Sequence, residues 1–199
     1  MGAGFVCHTL NPRLTIAHLA AMMNEAEDRV LAVGGGLSDL AFELVSHCPS
    51  IEAVVLLDGA QPEPRPVSNL RTFEFENLLV GLGEDTAWGG FDEEAPAGLC
   101  YTSGTTGAPK GVLYTHRSNY LHTLRALQAD AIALTSADSI LVAVPMFHAN
   151  GWGFPFAAPA VGAKLVLPGR QADGAHLARL IREEGVTVAA GIQTVWQNL

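Results

Sequence analysis

Apolar positions along this chain change their period repeatedly, and each change marks an element. Leu14, Ala17, His18 and Ala21 recur at helical spacing behind Pro12, which suits the start of a helix. Residues 29–33 form a short apolar run, 38–47 a second helical stretch ending at Pro49, and 51–57 a continuous β-branched and leucine-rich run closed by Asp58-Gly59. Continuous rather than alternating apolarity predicts strands covered on both faces, as in a parallel sheet. Between 61 and 97 the period fades among prolines and acidic residues, which predicts a long connection with one short strand at 71–75. Beyond it the pattern predicts strands at 98–102, 111–114, 139–144, 163–167 and 186–190, with helices near 117–133, 152–159 and 173–184. The last residues, TVWQNL, open another helix, and residues 2–14 resemble a connecting loop that feeds the first one.

Alternation of this kind predicts an α/β fold of layered, mostly parallel sheets with flanking helices. Three segments follow from it: an α/β piece over 1–60, a connecting segment over 61–97, and a second α/β section over 98–199. With 199 residues, 49% of them hydrophobic and 16% charged, the chain has ample material for a packed core. Its formal net charge of −9 disfavours nucleic acid and anionic membrane surfaces, so any phosphate site must be built locally. The acidic cluster Glu84, Asp85, Asp92, Glu93 and Glu94 has the composition of a solvated loop. Cys7, Cys48 and Cys100 are too few and too scattered for a disulfide framework or a thiolate metal site, which predicts a reduced, cytoplasmic chain. The opening MGAGFVCHTL lacks both a basic signal region and the hydroxyl residue of a myristoylation site. The most apolar stretch, 151–163, is interrupted by Pro155 and Pro159 and falls short of the roughly 20 residues that span a membrane.

One segment carries chemistry. YTSGTTGAPKGVLYTH, residues 101–116, sets the hydroxyls of Tyr101, Thr102, Ser103, Thr105 and Thr106 and the glycines Gly104, Gly107 and Gly111 beside Lys110, directly after a strand. Glycines let backbone N–H groups approach a phosphate, hydroxyls donate further hydrogen bonds, and the lysine supplies charge. The plain alternative is a Thr/Gly-rich turn between two hairpin strands. Neither the Walker spacing nor GxGxxG can be laid over it, since Pro109 stands where a Walker loop needs glycine and Gly111 follows the lysine. A second cluster, PMFHANGW at residues 145–152, follows an apolar strand, where sites gather in α/β sheets. Taken alone, His148 suits a helix start, and Phe147 and Trp152 suit a core. His116 and His122 lie six apart, on different faces of one helix, which favours solvated or capping roles over a shared metal.

The glycine-rich string resembles, over consecutive residues 101–111, the signature of the adenylate-forming superfamily, which includes acyl-CoA synthetases, luciferases and peptide-synthetase adenylation domains. His148 follows Thr102 at the separation that family shows, and PMFHANGW is similar to the corresponding segment of its fatty-acyl branch. HTLNPRL (8–14), AEDRVLAVGGG (26–36), VGAKLVLPG (161–169) and EEGVTVAAGIQTVW (183–196) look like successive blocks of medium- and long-chain fatty-acyl-CoA synthetases. Two departures stand out: the family usually shows an acidic residue within 34–36, and a proline where this chain has Gln193.

The resemblance implies an interior piece of the large N-terminal domain of an AMP-forming fatty-acid:CoA ligase, with the mobile C-terminal domain outside it and little activity alone. It implies ATP and Mg²⁺ as cofactors and CoA and a fatty acid as substrates. Thr102, Ser103, Gly104, Thr105, Thr106, Gly107 and Lys110 would hold the ATP phosphates, with Thr102 on the metal. His148 would lie beside the reacting carboxylate, Ala149 and Trp152 would touch nucleotide and acyl chain, and Asn150 and Gly151 would complete the substrate side. Lys110 and His148 are the catalytic candidates. Two alternatives stay open at this stage: a non-catalytic remnant or binding module that kept the loop, and an adenylating enzyme with another acyl acceptor, such as a luciferase-like oxygenase.

Overall fold

The computed structural model describes residues 1–58, 70–82, 87–102, 109–169, 171–197 and 199. The chain forms two compact units, one of Leu10–Trp88 and one of Met1–Thr9 with Gly89–Leu199.

In the smaller unit, helix α1 (Ile16–Glu25) is capped by Thr15, whose side chain accepts the His18 backbone N–H. Strands β2 (Val30–Val33), β3 (Ala53–Leu56) and β4 (Arg71–Glu74) form a parallel sheet in that order. Helix α2 (Ser38–Val45) joins the first two, and the core is built from Leu19, Met23, Phe42, Leu44, Val54 and Leu56. Helix α3 (Phe75–Gly81) follows β4 directly, in the span where the sequence pattern predicts only a connection. Phe75, Leu78, Leu79 and Leu82 recur at helical spacing, but the run is short, no residue of α3 is buried and Val80 is 88% exposed, so the signal is too brief to stand out from the surrounding connection.

The larger unit holds two more sheets. In the first, β1 (Cys7–Thr9), β5 (Pro96–Thr102) and β6 (Lys110–Thr115) lie in the order β1-β5-β6. Its β1–β5 pairing is parallel and its β5–β6 pairing antiparallel. Residues 7–9, expected as loop, are thus a strand. Three residues carry no pattern, and their extended form is fixed by pairing with a distant segment. In the second sheet, β7 (Ser139–Val142) lies between β8 (Lys164–Val166) and β9 (Val188–Ala190), all parallel.

All four residues of β7 are buried, which explains its unbroken apolarity. Ile140 and Val142 face a cluster with Ala126, Phe154, Ala157 and Ala158, while Leu141 faces Val166 and Leu177. The helices supplying that cover are α4 (His116–Leu127), α6 (Phe154–Val161) and α7 (Gly174–Glu183). Helix α4 stops at Leu127, earlier than its sequence pattern suggests, because Gln128 is extended and Ala133 takes a left-handed φ of 56°. The chain's last helix, α8 (Gln193–Trp196), begins at Gln193. The family's proline would stand at this first helical position, where a backbone N–H has no helical partner, so glutamine and proline both fit. Among the described residues, no helix is long and apolar enough to cross a membrane.

Candidate functional site

Strand β5 is central in its sheet, and Ala97, Leu99 and Cys100 are buried. Its exposed end, Thr102, pairs with Lys110 at the start of β6. The Thr102 hydroxyl donates to the Lys110 carbonyl at 3.5 Å, a long and weak bond. The glycine-rich segment therefore joins two strands of a hairpin. Its composition, not its topology, distinguishes it from an ordinary turn. Ser103, Gly104, Thr105, Thr106 and Gly107 lie outside the described residues. Gly111 sits opposite Tyr101, and a Cβ there would come within 3.3 Å of the Tyr101 ring and of Leu99, a tight fit that glycine avoids. Among the described residues no ion pair engages Lys110, which is exposed.

β6 runs without a break into α4, which Thr115 caps by accepting the Ser118 backbone N–H at 3.1 Å. That junction fixes where His122 stands. Its Nε2 lies 3.0 Å from the backbone carbonyl of Trp152, and because a carbonyl only accepts, the imidazole is the donor, with its proton on Nε2.

Trp152 belongs to the second sequence cluster, which has an unusual backbone. Short helix α5 (Ala149–Trp152) follows β7 through 143–148. Five consecutive residues are left-handed: Ala149 at φ 46°, Asn150 at 50°, Gly151 at 62°, Trp152 at 56° and Gly153 at 74°. Only glycine occupies this region freely, and each non-glycine residue there costs about 1 to 3 kcal/mol unless the surroundings fix it. Asparagine tolerates it best, while alanine and tryptophan do not.

Side-chain contacts fix this turn at both ends. The Asn150 carboxamide oxygen accepts from the Cys100 thiol at 3.0 Å and from the Thr9 hydroxyl at 3.3 Å, and those two side chains lie 3.1 Å apart. Asn150 is thereby tied to β5 and β1 together. Gly98 makes room for it: a Cβ on Gly98 would stand 2.8 Å from Asn150 Nδ2. At the other end, a Cβ on Gly153 would stand 2.4 Å from His122 Cδ2. Gly151 is buried against Met146, whose sulfur would meet an added Cβ at 3.0 Å. His148 caps α5 from outside with no side-chain cap bond, and its ring is exposed. Ala149 is exposed and Trp152 is 37% exposed. The structure thus joins Ala149, Asn150, Gly151 and Trp152 into one turn with His148 just before it, while Thr102 and Lys110 form the base of the hairpin.

His122, Thr9, Cys100 and Gly98 escape a sequence search because each acts across a long separation. The one local signal was asparagine with Gly151 and Gly153 in ANGWG (149–153), a composition suited to left-handed backbone. One group near the site has a shifted ionisation. Burial, then the charge of Cys100, pushes the Tyr114 phenol up from its ordinary value. Further off, the Asp138 carboxyl is held below its usual range by the Thr135 backbone N–H, then by the Thr187 and Thr135 hydroxyls.

Layered and mostly parallel sheets, a glycine-rich hairpin with a lysine at its base, and a strained turn tied to the same strand define an α/β protein whose glycine-rich string and PMFHANGW segment lie in one unit. The chain matches the AMP-binding enzyme family over residues 1–199 and belongs to it. It is 45% identical over 199 residues to the medium-chain-fatty-acid–CoA ligase of Ectopseudomonas oleovorans, covering 100% of this chain and 36% of that one. It is 42% identical over 198 residues to the long-chain-fatty-acid–CoA ligase of Thermus thermophilus, covering 100% of this chain and 35% of that one. Among solved structures, a long-chain-fatty-acid–CoA ligase from Archaeoglobus fulgidus superimposes with a TM-score of 0.77 at 23% identity, over 96% of this chain and 35% of that one. The chain spans about a third of the length of the curated relatives it matches.

Proposed function

We propose that this chain carries the phosphate-binding and acyl-gate part of an ATP-dependent, AMP-forming fatty-acid:CoA ligase working in the cytoplasm. The observation that carries this is the β5–β6 hairpin, which pairs Thr102 with Lys110 and so sets a hydroxyl and an ammonium at the base of the glycine-rich loop. The curated relatives named for medium- and long-chain fatty acids support the substrate class.

In such a reaction a carboxylate oxygen attacks the α-phosphorus of ATP, the bond to the β-phosphate oxygen breaks, and pyrophosphate leaves. The thiolate of CoA then attacks the acyl carbonyl and AMP departs. Lys110 and the loop's N–H and hydroxyl groups would neutralise the charge that gathers on the leaving pyrophosphate. His148, exposed beside the strained turn, would donate to the carboxylate or the α-phosphate, and Ala149 would meet the nucleotide through its backbone. Asn150, Gly151 and Trp152 would form the acyl side, with the indole as a rigid plug.

Magnesium, when bound, would supply positive charge that offsets the negative charge of the phosphates. From this chain it would take Thr102 Oγ1, a single neutral oxygen. Among the described residues no three His, Cys, Asp or Glu side chains form a metal cluster. The metal's other ligands would then be phosphate, water or groups beyond the described residues, and no step here is routed through it.

The test is ATP binding by the 199-residue chain, followed by ³¹P line broadening. Wild type should broaden the β- and γ-phosphorus lines. Lys110→Ala should weaken binding about tenfold to a hundredfold, the equivalent of one charge-assisted hydrogen bond of about 1.5 to 3 kcal/mol. Equal broadening by wild type and variant would overturn the assignment of Lys110. In a turnover assay, an acyl product formed without CoA would overturn the ligase assignment in favour of another acceptor.

A further inference from the structure

We infer that Asn150 and His122 are positioning residues, which clasp the left-handed turn at 149–153 from opposite ends and so set the orientation of Trp152 and His148. The inference rests on the ligase proposal only in what those two residues are for. The clasp itself stands on geometry.

Strain is the first part of the argument. Five successive left-handed residues, three of them non-glycine, do not persist by their own preference. Something in the tertiary structure must hold them.

Two sets of contacts fall on this turn. Asn150 reaches two strands at once, through Cys100 on β5 and Thr9 on β1, at 3.0 and 3.3 Å. Its oxygen is thereby occupied, so this side chain acts on the site through the backbone it anchors. His122 holds the Trp152 carbonyl at 3.0 Å from a different element, α4. Between these two fixed points the chain has only Gly151 and the Trp152 α-carbon, so the direction in which the indole leaves the backbone is set by the clasp.

The surrounding glycines agree with this. Gly98 and Gly153 are the positions where an added Cβ would strike Asn150 Nδ2 and the His122 ring, at 2.8 and 2.4 Å. Both lack side chains where the two clasping groups need the space.

Thr9 and Cys100 face each other in the β1–β5 register. Cys100 lies two positions before Thr102, on the strand that leads into the phosphate loop. One strand therefore supports both the loop and the turn. It follows that the acyl-side turn is positioned from the same β5 that positions Thr102.

The test labels the chain with 5-fluorotryptophan, which reports on Trp88, Trp152 and Trp196 by ¹⁹F resonance, with Trp152→Phe assigning the line of interest. His122→Phe keeps the ring and removes the donor; His122→Gln keeps a donor at similar reach. Asn150→Gly keeps the left-handed tolerance and removes the acceptor, whereas Asn150→Asp keeps both.

His122→Phe and Asn150→Gly should displace or broaden the Trp152 line while leaving the Trp196 line in place. His122→Gln and Asn150→Asp should restore it. An unmoved Trp152 line in folded Asn150→Gly and His122→Phe would overturn the inference, because backbone preference alone would then hold the turn. Failure of the Gln and Asp variants to restore the line would overturn it too, since shape rather than hydrogen bonding would be responsible. If a variant does not fold, judged by loss of the Trp196 shift, its partner at the other end of the clasp carries the test. No ATP, CoA or fatty acid enters the measurement, so its failure is separate from a failure of nucleotide binding.

Discussion

At Gly153 backbone freedom and space are both required. Its φ is +74°, and a Cβ would lie 2.4 Å from the His122 ring. Gly162 ends α6 at φ +75° with nothing within 4 Å of a Cβ. Comparing the two separates the effects. Gly162→Ala should lose about 1 kcal/mol in denaturant unfolding, from the left-handed penalty alone. Gly153→Ala should lose distinctly more, because His122 must also move and release the Trp152 carbonyl. Equal losses would mean that His122 yields without resistance. Thr102, Lys110 and His148 could be singled out as candidates from sequence because they sit in contiguous strings. His122 was not, since six residues from His116 it looks solvated, and its partner is thirty residues away along the chain.

Among elements, the strands of the larger unit are joined by polar contacts at their entrances as well as by their cores. Asp138, just before β7, accepts from Thr187, just before β9, at 2.8 Å, and from the Thr135 backbone and hydroxyl at 2.8 and 2.9 Å. These bonds favour the charged carboxylate, so its folded value lies below the unfolded one. The stabilisation is present in full above the ordinary aspartate range and is lost as pH falls through the depressed folded value. Asp138→Ala should therefore unfold more easily than wild type at neutral pH, and the two should converge in strong acid. A difference that persists there would show that shape, not charge, is responsible. Where elements were concerned, the pattern was strongest for β7, whose two faces are both covered, and weakest for α3 and β1. A two-turn helix repeats its apolar spacing too few times, and a three-residue strand has none to repeat.

For the molecule as a whole, acidity and exposed apolar side chains act against each other. The net charge of −9 keeps copies apart at neutral pH. Leu113 on β6 and Tyr120, Leu121 and Leu124 on α4 are 41 to 64% exposed. As pH approaches the isoelectric point near 5.1, repulsion vanishes while those side chains remain, so light scattering should rise steeply there. Leu121→Lys with Leu124→Lys should reduce the scattering at each variant's own isoelectric point. Unchanged scattering would assign the effect to charge alone.

The sequence by itself determined the α/β class, nearly every buried strand and helix, and the family, since periodicity and contiguous motifs are written locally. The tertiary structure decided that residues 7–9 are a strand, that the glycine-rich segment closes a hairpin, and that Ala149 to Gly153 form a left-handed turn held by His122 and Asn150. Each of these depends on groups brought together from distant parts of the chain. A backbone conformation that is unfavourable residue by residue exists only where such contacts outweigh its strain.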